Sequence, residues 1–274
     1  MIAIIHQLNI LLPVLYGITS FFYIMHFING NARFRVHSRM LLLFTTASHL
    51  TYLVLKMIGE NHIPLASQGE ALSFFAAALA LVYIYLEIRL KSSTIGAFII
   101  IIAWLFQLLS TLRYSGFTQI KPVLQSAWFA LHAGSAVLSF AAFAVAALLS
   151  LLYLLLFREI RGRKPGYIFQ RMPSLEILDD MSYKAVTLGF LLLTIGIGSG
   201  AIWADQAWGK FWSWDPKQVS SLVVWLIYAA YLHARLQKGW EGKRVALFAA
   251  FGFCSLVFTF VFVDLLFKTA HQFL

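Results

Sequence analysis

The side chains in this sequence best suited to holding a metal in pairs are its eight histidines: His6, His26, His37, His49, His62, His132, His233 and His271. A neutral imidazole ligates transition metals through either ring nitrogen, so what separates the eight is where the chain puts them. A second unusual feature is the stretch WADQAWGKFWSWDPK over residues 203–217, which carries Trp203, Trp208, Trp212 and Trp214. Asp215 followed by Pro216 reads as a helix start, because an aspartate accepts from the free N–H groups of a first turn and proline suits the first helical position. Trp203 to Trp214 should then be a short connection feeding a helix that opens at Pro216. Tryptophans gather at membrane interfaces through amphipathicity alone. Four so close together, interleaved with Gly209, Lys210 and Phe211, also suit a flat aromatic platform for a flat apolar ligand. There is no HExxH, no Cys/His cluster of zinc spacing, no P-loop and no GxGxxG opening a helix. The single cysteine, Cys254, lies in an apolar run, which excludes an intrachain disulfide and CxxC chemistry.

The elements that must position these residues are set by composition. The chain is 61% hydrophobic and 12% charged, with a mean hydropathy of +0.80, which excludes a soluble domain. Several apolar runs reach the length of about 20 residues that crosses a hydrocarbon core. The expected fold is all-α: a single polytopic membrane helical bundle over residues 1–274. Its eight spans fall at roughly 6–28, 40–58, 71–90, 95–113, 128–157, 183–204, 217–236 and 245–267, with ends uncertain by a few residues. No cleavable signal peptide is expected, since the first apolar run is too long and has no basic flank before it.

The net charge of +10 is a matter of orientation here rather than of nucleic acid. Alternate connections at 29–39, 87–94, 158–184 and 235–244 hold fifteen of the 21 Lys and Arg. By the positive-inside rule those connections are cytoplasmic, so both termini and the Trp-rich stretch are expected on the extracytoplasmic face of the cytoplasmic (inner) membrane. Span five, uncharged from Ala127 to Phe157, is longer than a bilayer needs and should tilt or project. Glu70 suits the helix N-terminus it opens. The basic stretch 158–182 suits anionic lipid at the inner leaflet.

On this topology His37 and His62 lie in connections and need no special role, and His6 and His26 lie near span ends. His49 lies mid-span, where an ionisable residue is costly and points to function or to an interhelical hydrogen bond. His132 and His271 are far apart in sequence, yet both fall on the outer face beside the Trp-rich stretch. Two neutral imidazoles facing one another across a metal are the arrangement that holds haem iron, with Trp212 and Trp214 as a wall for the ring. His233, at the inner end of span seven, either caps its helix or ligates from the opposite side.

The stretch WADQAWGKFWSWDPKQVSSLVVWLIYAAYLHAR resembles the tryptophan-rich WWD region of the cytochrome c assembly family, most nearly its CcsA/ResC-like, system II branch. SHLTYLVLK with HIPLASQGEALSFF, and VLQSAWFALHAGSAVLSFAAF, are similar to further segments of that family, so the resemblance covers most of residues 40–274. It implies that haem b is brought to the outer face and presented to the CxxCH thiols of apocytochrome c, within a cytochrome c synthase (haem lyase) complex that includes a ResB/CcsB-like membrane protein. It implies His132 and His271 as outer haem ligands and His233 as a ligand within the membrane near the inner side. A histidine at the place of His49 is common in the family, and the site also includes Trp208, Trp212, Trp214 and Asp215. Two departures stand out. Gln218 follows Asp-Pro-Lys where the family has Glu, and the last span ends VDLLFKTAHQF, so that His271 is assigned by position and topology. The related HemX branch shares the eight-span plan with a degenerate Trp loop and is tied to control of tetrapyrrole synthesis. A haem exporter or a quinone-binding bundle without synthase activity is the other alternative.

Overall fold

In a bilayer an isolated apolar segment can satisfy its backbone only within itself, and among the described residues the regular structure is helical. The computed structural model describes residues 1–90, 92–114, 122–163 and 166–266. Among them it has α1 (Ile2–Asn29), α2 (Ala32–Glu60), α3 (Gln68–Leu90), α4 (Gly96–Leu112), a 3-10 turn (Pro122–Gln125), α5 (Ala127–Arg161), α6 (Tyr167–Arg171), α7 (Leu175–Trp208), α8 (Pro216–Lys238) and α9 (Lys243–Leu266). Each expected span corresponds to one of the long helices. Six of them, α1, α2, α3, α5, α7 and α8, are long and apolar enough to cross a membrane, so this is an all-α, multi-pass membrane protein. The apolar α4 has 17 residues, about 25 Å at the helical rise. The 35 residues of α5 reach about 50 Å, in keeping with the long uncharged run.

The ends differ from expectation for local reasons. The basic stretch before span two is helix rather than connection, because Asn31 caps α2 by accepting from the Arg33 N–H at 2.9 Å. Likewise α7 begins at Leu175 rather than near 183, behind a Ser174 cap, and it continues through Trp208. It stops at Gly209, whose φ of 70° is the left-handed conformation that ends helices without strain. Trp203 and Trp208 are therefore helix residues, and the connection proper is 209–215. The basic stretch 158–182 is not a plain loop: it contains the end of α5, α6 and the start of α7.

The helices pack as two compact units, one of Met1–Lys121 with Pro165–Pro173 and the other of Pro122–Lys164 with Ser174–Leu274. In the first, α1 lies against α2 and α4, and α3 against α4 and α2. Polar side chains bridge these helices. The Tyr23 hydroxyl donates to the buried Glu87 carboxylate at 2.6 Å, and the Ser110 hydroxyl donates to the Gly69 carbonyl at 2.7 Å. In the second unit α5 and α7 form the principal pair, and α9 packs on α5 and α8. Small residues let α5 and α7 approach closely, as is usual between membrane helices. A Cβ on Gly189 would stand 2.7 Å from the Phe143 ring, the Ser139 hydroxyl reaches the Gly189 carbonyl at 2.8 Å, and Ser150 meets Ser182 at 3.0 Å.

Candidate functional site

The site is built where α5 begins. Ser126 caps the helix, its hydroxyl accepting from the N–H groups of Trp128 and Phe129. His132 follows in the second turn and lies against α7, where its Nδ1 stands 2.7 Å from the Gly196 carbonyl oxygen. A carbonyl only accepts, so Nδ1 carries the proton, and in the neutral ring the Nε2 lone pair is left as a ligand. A carbonyl holding one ring nitrogen is the usual setting of a histidine that ligates a metal through the other. The His132 ring stacks on Trp203, with centroids 5.9 Å apart and planes 14° apart. Trp203 is buried and anchored by its own N–H to the Val123 carbonyl at 3.0 Å. Phe129 lies 5.3 Å from it, and Trp208 meets it edge-on at 5.1 Å. An open imidazole nitrogen thus stands on an aromatic cluster.

Trp212 and Trp214 form the other half of the Trp-rich stretch. Their rings are 5.8 Å apart and nearly perpendicular, at 86°, so they make a corner rather than one flat wall. Trp214 is 76% exposed and has a φ of 56°, a left-handed backbone that costs a non-glycine residue about 1–3 kcal/mol. The turn is held from the helix behind it. Buried Asp215 accepts from the Lys217 N–H at 2.9 Å, as its position before Pro216 led one to expect. The Gln218 side-chain oxygen accepts from both the N–H and the hydroxyl of Ser213, at 3.0 and 3.1 Å. An amide oxygen here does what a carboxylate would do, so the departure at this position leaves the turn its acceptor.

Of the other expected residues, His233 is exposed on α8. The end of its helix is pinned to α7: Arg235 pairs with Asp179 at 2.7 Å and lies over the Tyr183 ring. Asp179 also accepts from the Gly242 N–H. His49 belongs to the first unit and is fully buried. Its Nδ1 meets the Tyr16 hydroxyl at 2.9 Å and its Nε2 meets Ser73 Oγ at 2.8 Å. Because Ser73 donates its own proton to Gln107 Oε1, His49 must donate from Nε2 and accept at Nδ1. One polar chain therefore ties α1, α2, α3 and α4 together, and both imidazole nitrogens are taken. His271 lies outside the described residues.

Sequence reasoning missed two features. Trp203 is stacked against the His132 ring, a contact not read from the sequence. And His62 with Glu70, which seemed to need no role beyond a connection and a helix dipole, belong to a buried ionic centre. The Lys56 ammonium stands 3.2 Å from Glu60 Oε1 and 3.1 Å from Glu70 Oε1. His62 Nε2 stands 3.1 Å from Glu60 Oε2, while its Nδ1 donates to the Ile63 carbonyl at 2.7 Å. The second ring nitrogen of His62 thus faces the Glu60 carboxylate while the first is held by the backbone. The two carboxylates share one lysine ammonium. Glu60, His62 and Glu70 are close enough to share a metal ion, but the lysine already occupies the cation position between the carboxylates. Glu70 closes a capping box as well, accepting from the Ala66 and Ser67 N–H groups while Ser67 Oγ accepts from the Glu70 N–H.

Comparison with known proteins adds kinship to this geometry. The cytochrome C assembly protein family matches residues 65–271. The chain is 34% identical over 273 residues to the cytochrome c biogenesis protein CcsA of Heterosigma akashiwo, covering 87% of this chain and 83% of that one. It is 35% identical over 251 residues to the CcsA protein of a Synechococcus species, covering 81% of each. Among solved structures it matches the cytochrome c haem lyase CcmF with a TM-score of 0.64 at 15% identity. That match takes in 95% of this chain but spans about half, 47%, of the lyase, and at such identity the likeness is one of fold.

Proposed function

The chain belongs to the cytochrome c assembly protein family, and from that premise we propose that it holds haem b at the extracytoplasmic face during cytochrome c maturation and presents it to apocytochrome c. The observation that carries this reading is the His132 ring, with Nδ1 committed to the Gly196 carbonyl and its face on Trp203, so that Nε2 is the nitrogen offered to iron. His271 is the second outer ligand. Trp208, Trp212, Trp214 and Asp215 shape the turn that receives the ring and keep water from one face of it. Haem bound there supplies the vinyl groups across which the CxxCH thiols add. The chain has no CxxC pair, and its one cysteine, Cys254, takes no part. His233 offers a second haem position nearer the inner side, shared with a ResB/CcsB-like partner. His49 supports the bundle through its two hydrogen bonds.

The orientation, with both termini and the Trp-rich turn outside the cytoplasmic membrane, rests on the Lys and Arg of the alternate connections. The test is the absorption spectrum of the detergent-purified protein, wild type beside His132→Ala and His271→Ala. A Soret band with sharp reduced α and β bands, lowered by either substitution, is the expected result. Wild-type haem content unchanged by His132→Ala would sink the reading. Protein free of haem even with its partner present would favour a membrane regulator of tetrapyrrole synthesis.

A further inference from the structure

We propose that α7 carries a dedicated seat for the His132 ring, made of Gly196, Gly200 and Trp203, in which Gly200 is the positioning residue that leaves Nε2 as the ligating nitrogen. The purpose of the seat rests on the haem-handling reading; its geometry does not. The three residues follow one another at intervals of four and three, which places them on one face of a helix. Gly196 supplies the carbonyl that fixes the tautomer. Trp203 supplies the wall that fixes the plane of the ring. Gly200 supplies space between them: a Cβ there would lie 2.5 Å from His132 Nδ1, 2.8 Å from Cε1 and 3.3 Å from Cγ. Those separations are inside van der Waals contact with a rigid ring that has no flexible end to move aside. Any side chain at 200 therefore drives the imidazole off Trp203, off the Gly196 carbonyl, or both.

The same helix holds its own control. Gly198, two residues before Gly200, is exposed, and a Cβ built there meets nothing within 4 Å. Alanine is a better helix former than glycine at either position, so a loss specific to Gly200→Ala cannot come from a weakened helix.

The seat is tested first without haem. Nitrogen-15 NMR of histidine-labelled protein, with His132 assigned by its disappearance in His132→Gln, reads which ring nitrogen is protonated. Wild type and Gly198→Ala should show the Nδ1–H tautomer, and Gly200→Ala should lose it. After reconstitution with haem, Gly200→Ala should keep several-fold less six-coordinate haem, down towards the His132→Ala level, and millimolar imidazole should restore the reduced α band. Gly198→Ala should match wild type. A purely structural lesion would not respond to imidazole. Wild-type His132 protonated on Nε2, or Gly200→Ala indistinguishable from Gly198→Ala, would overturn the proposal, and the wild-type measurement decides even if Gly200→Ala does not fold. An intact tautomer in a protein whose haem ignores His132→Ala would leave the seat standing and remove the haem reading. The reverse pattern would do the opposite.

Discussion

Replacing Lys56 with methionine isolates what the buried ionic centre contributes to the fold. Methionine keeps most of the aliphatic stem but removes the ammonium that touches Glu60 at 3.2 Å and Glu70 at 3.1 Å. All these side chains are buried, with no more than 4% of any exposed, so neither carboxylate can be rehydrated in place. Glu60 also ends α2, where the helix dipole already disfavours a negative charge. With Lys56 gone, both carboxylates lose the ammonium they share. Leaving a buried charge without its partner costs about 3–5 kcal/mol. Glu70→Gln alone should cost less, about 1–2 kcal/mol, because its oxygen can still accept from Ala66 and Ser67. The double variant removes one of the two buried carboxylates together with the ammonium and should recover part of the Lys56→Met loss, with a coupling of about 1–3 kcal/mol. The assay is reversible unfolding of the four proteins in mixed micelles. Hydrogen exchange over residues 60–70 serves as a local readout. If Lys56→Met unfolds within about 1 kcal/mol of wild type, or if the two losses simply add, Lys56 is not neutralising the carboxylates and the reasoning fails.

Trp203→Phe should retain haem while losing about 1 kcal/mol with the N–H to Val123, whereas Trp203→Ala should cost about 3–5 kcal/mol and loosen His132; unfolding and the reduced spectrum check both. Gln218→Glu should leave stability within about 0.5 kcal/mol of wild type, as expected of a change that breaks no buried contact, because a carboxylate accepts from Ser213 as the amide does. Gln218→Leu should instead increase proteolytic nicking of residues 209–215. His49→Phe, which strands the Tyr16 hydroxyl and leaves Ser73 only its bond to Gln107, should destabilise by about 1–3 kcal/mol, the cost of one unpaired buried group, without removing the α band, so any loss of haem in folded His49→Phe would count against a purely structural role.

The helices were legible because a long apolar run in a membrane protein has one outcome: α1 to α5 and α7 to α9 fall where the expected spans lie, and six of them are long and apolar enough to cross a membrane. The ends were less so, because single side chains and single backbone conformations decide them. Charge at 33–39 suggested a connection, yet Asn31 offers the first turn of α2 an acceptor and the arginines stay helical. Tryptophans suggested a loop from residue 203, yet nothing from Trp203 to Trp208 can take up a left-handed stop cheaply, so α7 continues under Trp203 and Trp208 to Gly209. Asp215-Pro216 was read correctly because cap and helix start lie in adjacent residues.

The chemistry of the site depends on contacts that no single segment records. His49 is expensive at its depth, and that much is visible in the sequence. What meets the expense is a hydroxyl on α1 and another on α3, which become neighbours only when the helices pack. His62 and Glu70 look like ordinary residues of a connection until Lys56, one turn before the end of α2, is folded beneath them. His132 is the clearest case. Its position beside the Trp-rich stretch follows from topology and resemblance, but its usefulness as a ligand depends on which nitrogen holds the proton. That is decided by the Gly196 carbonyl on a helix more than fifty residues away in the chain, and by the absence of a side chain at Gly200. A glycine in the middle of a membrane helix is usually read as a means of close packing. Here Gly189 does that against Phe143, Gly198 does nothing, and Gly200 makes room for an imidazole, so three similar positions in one helix have three different roles that only the partner helix distinguishes.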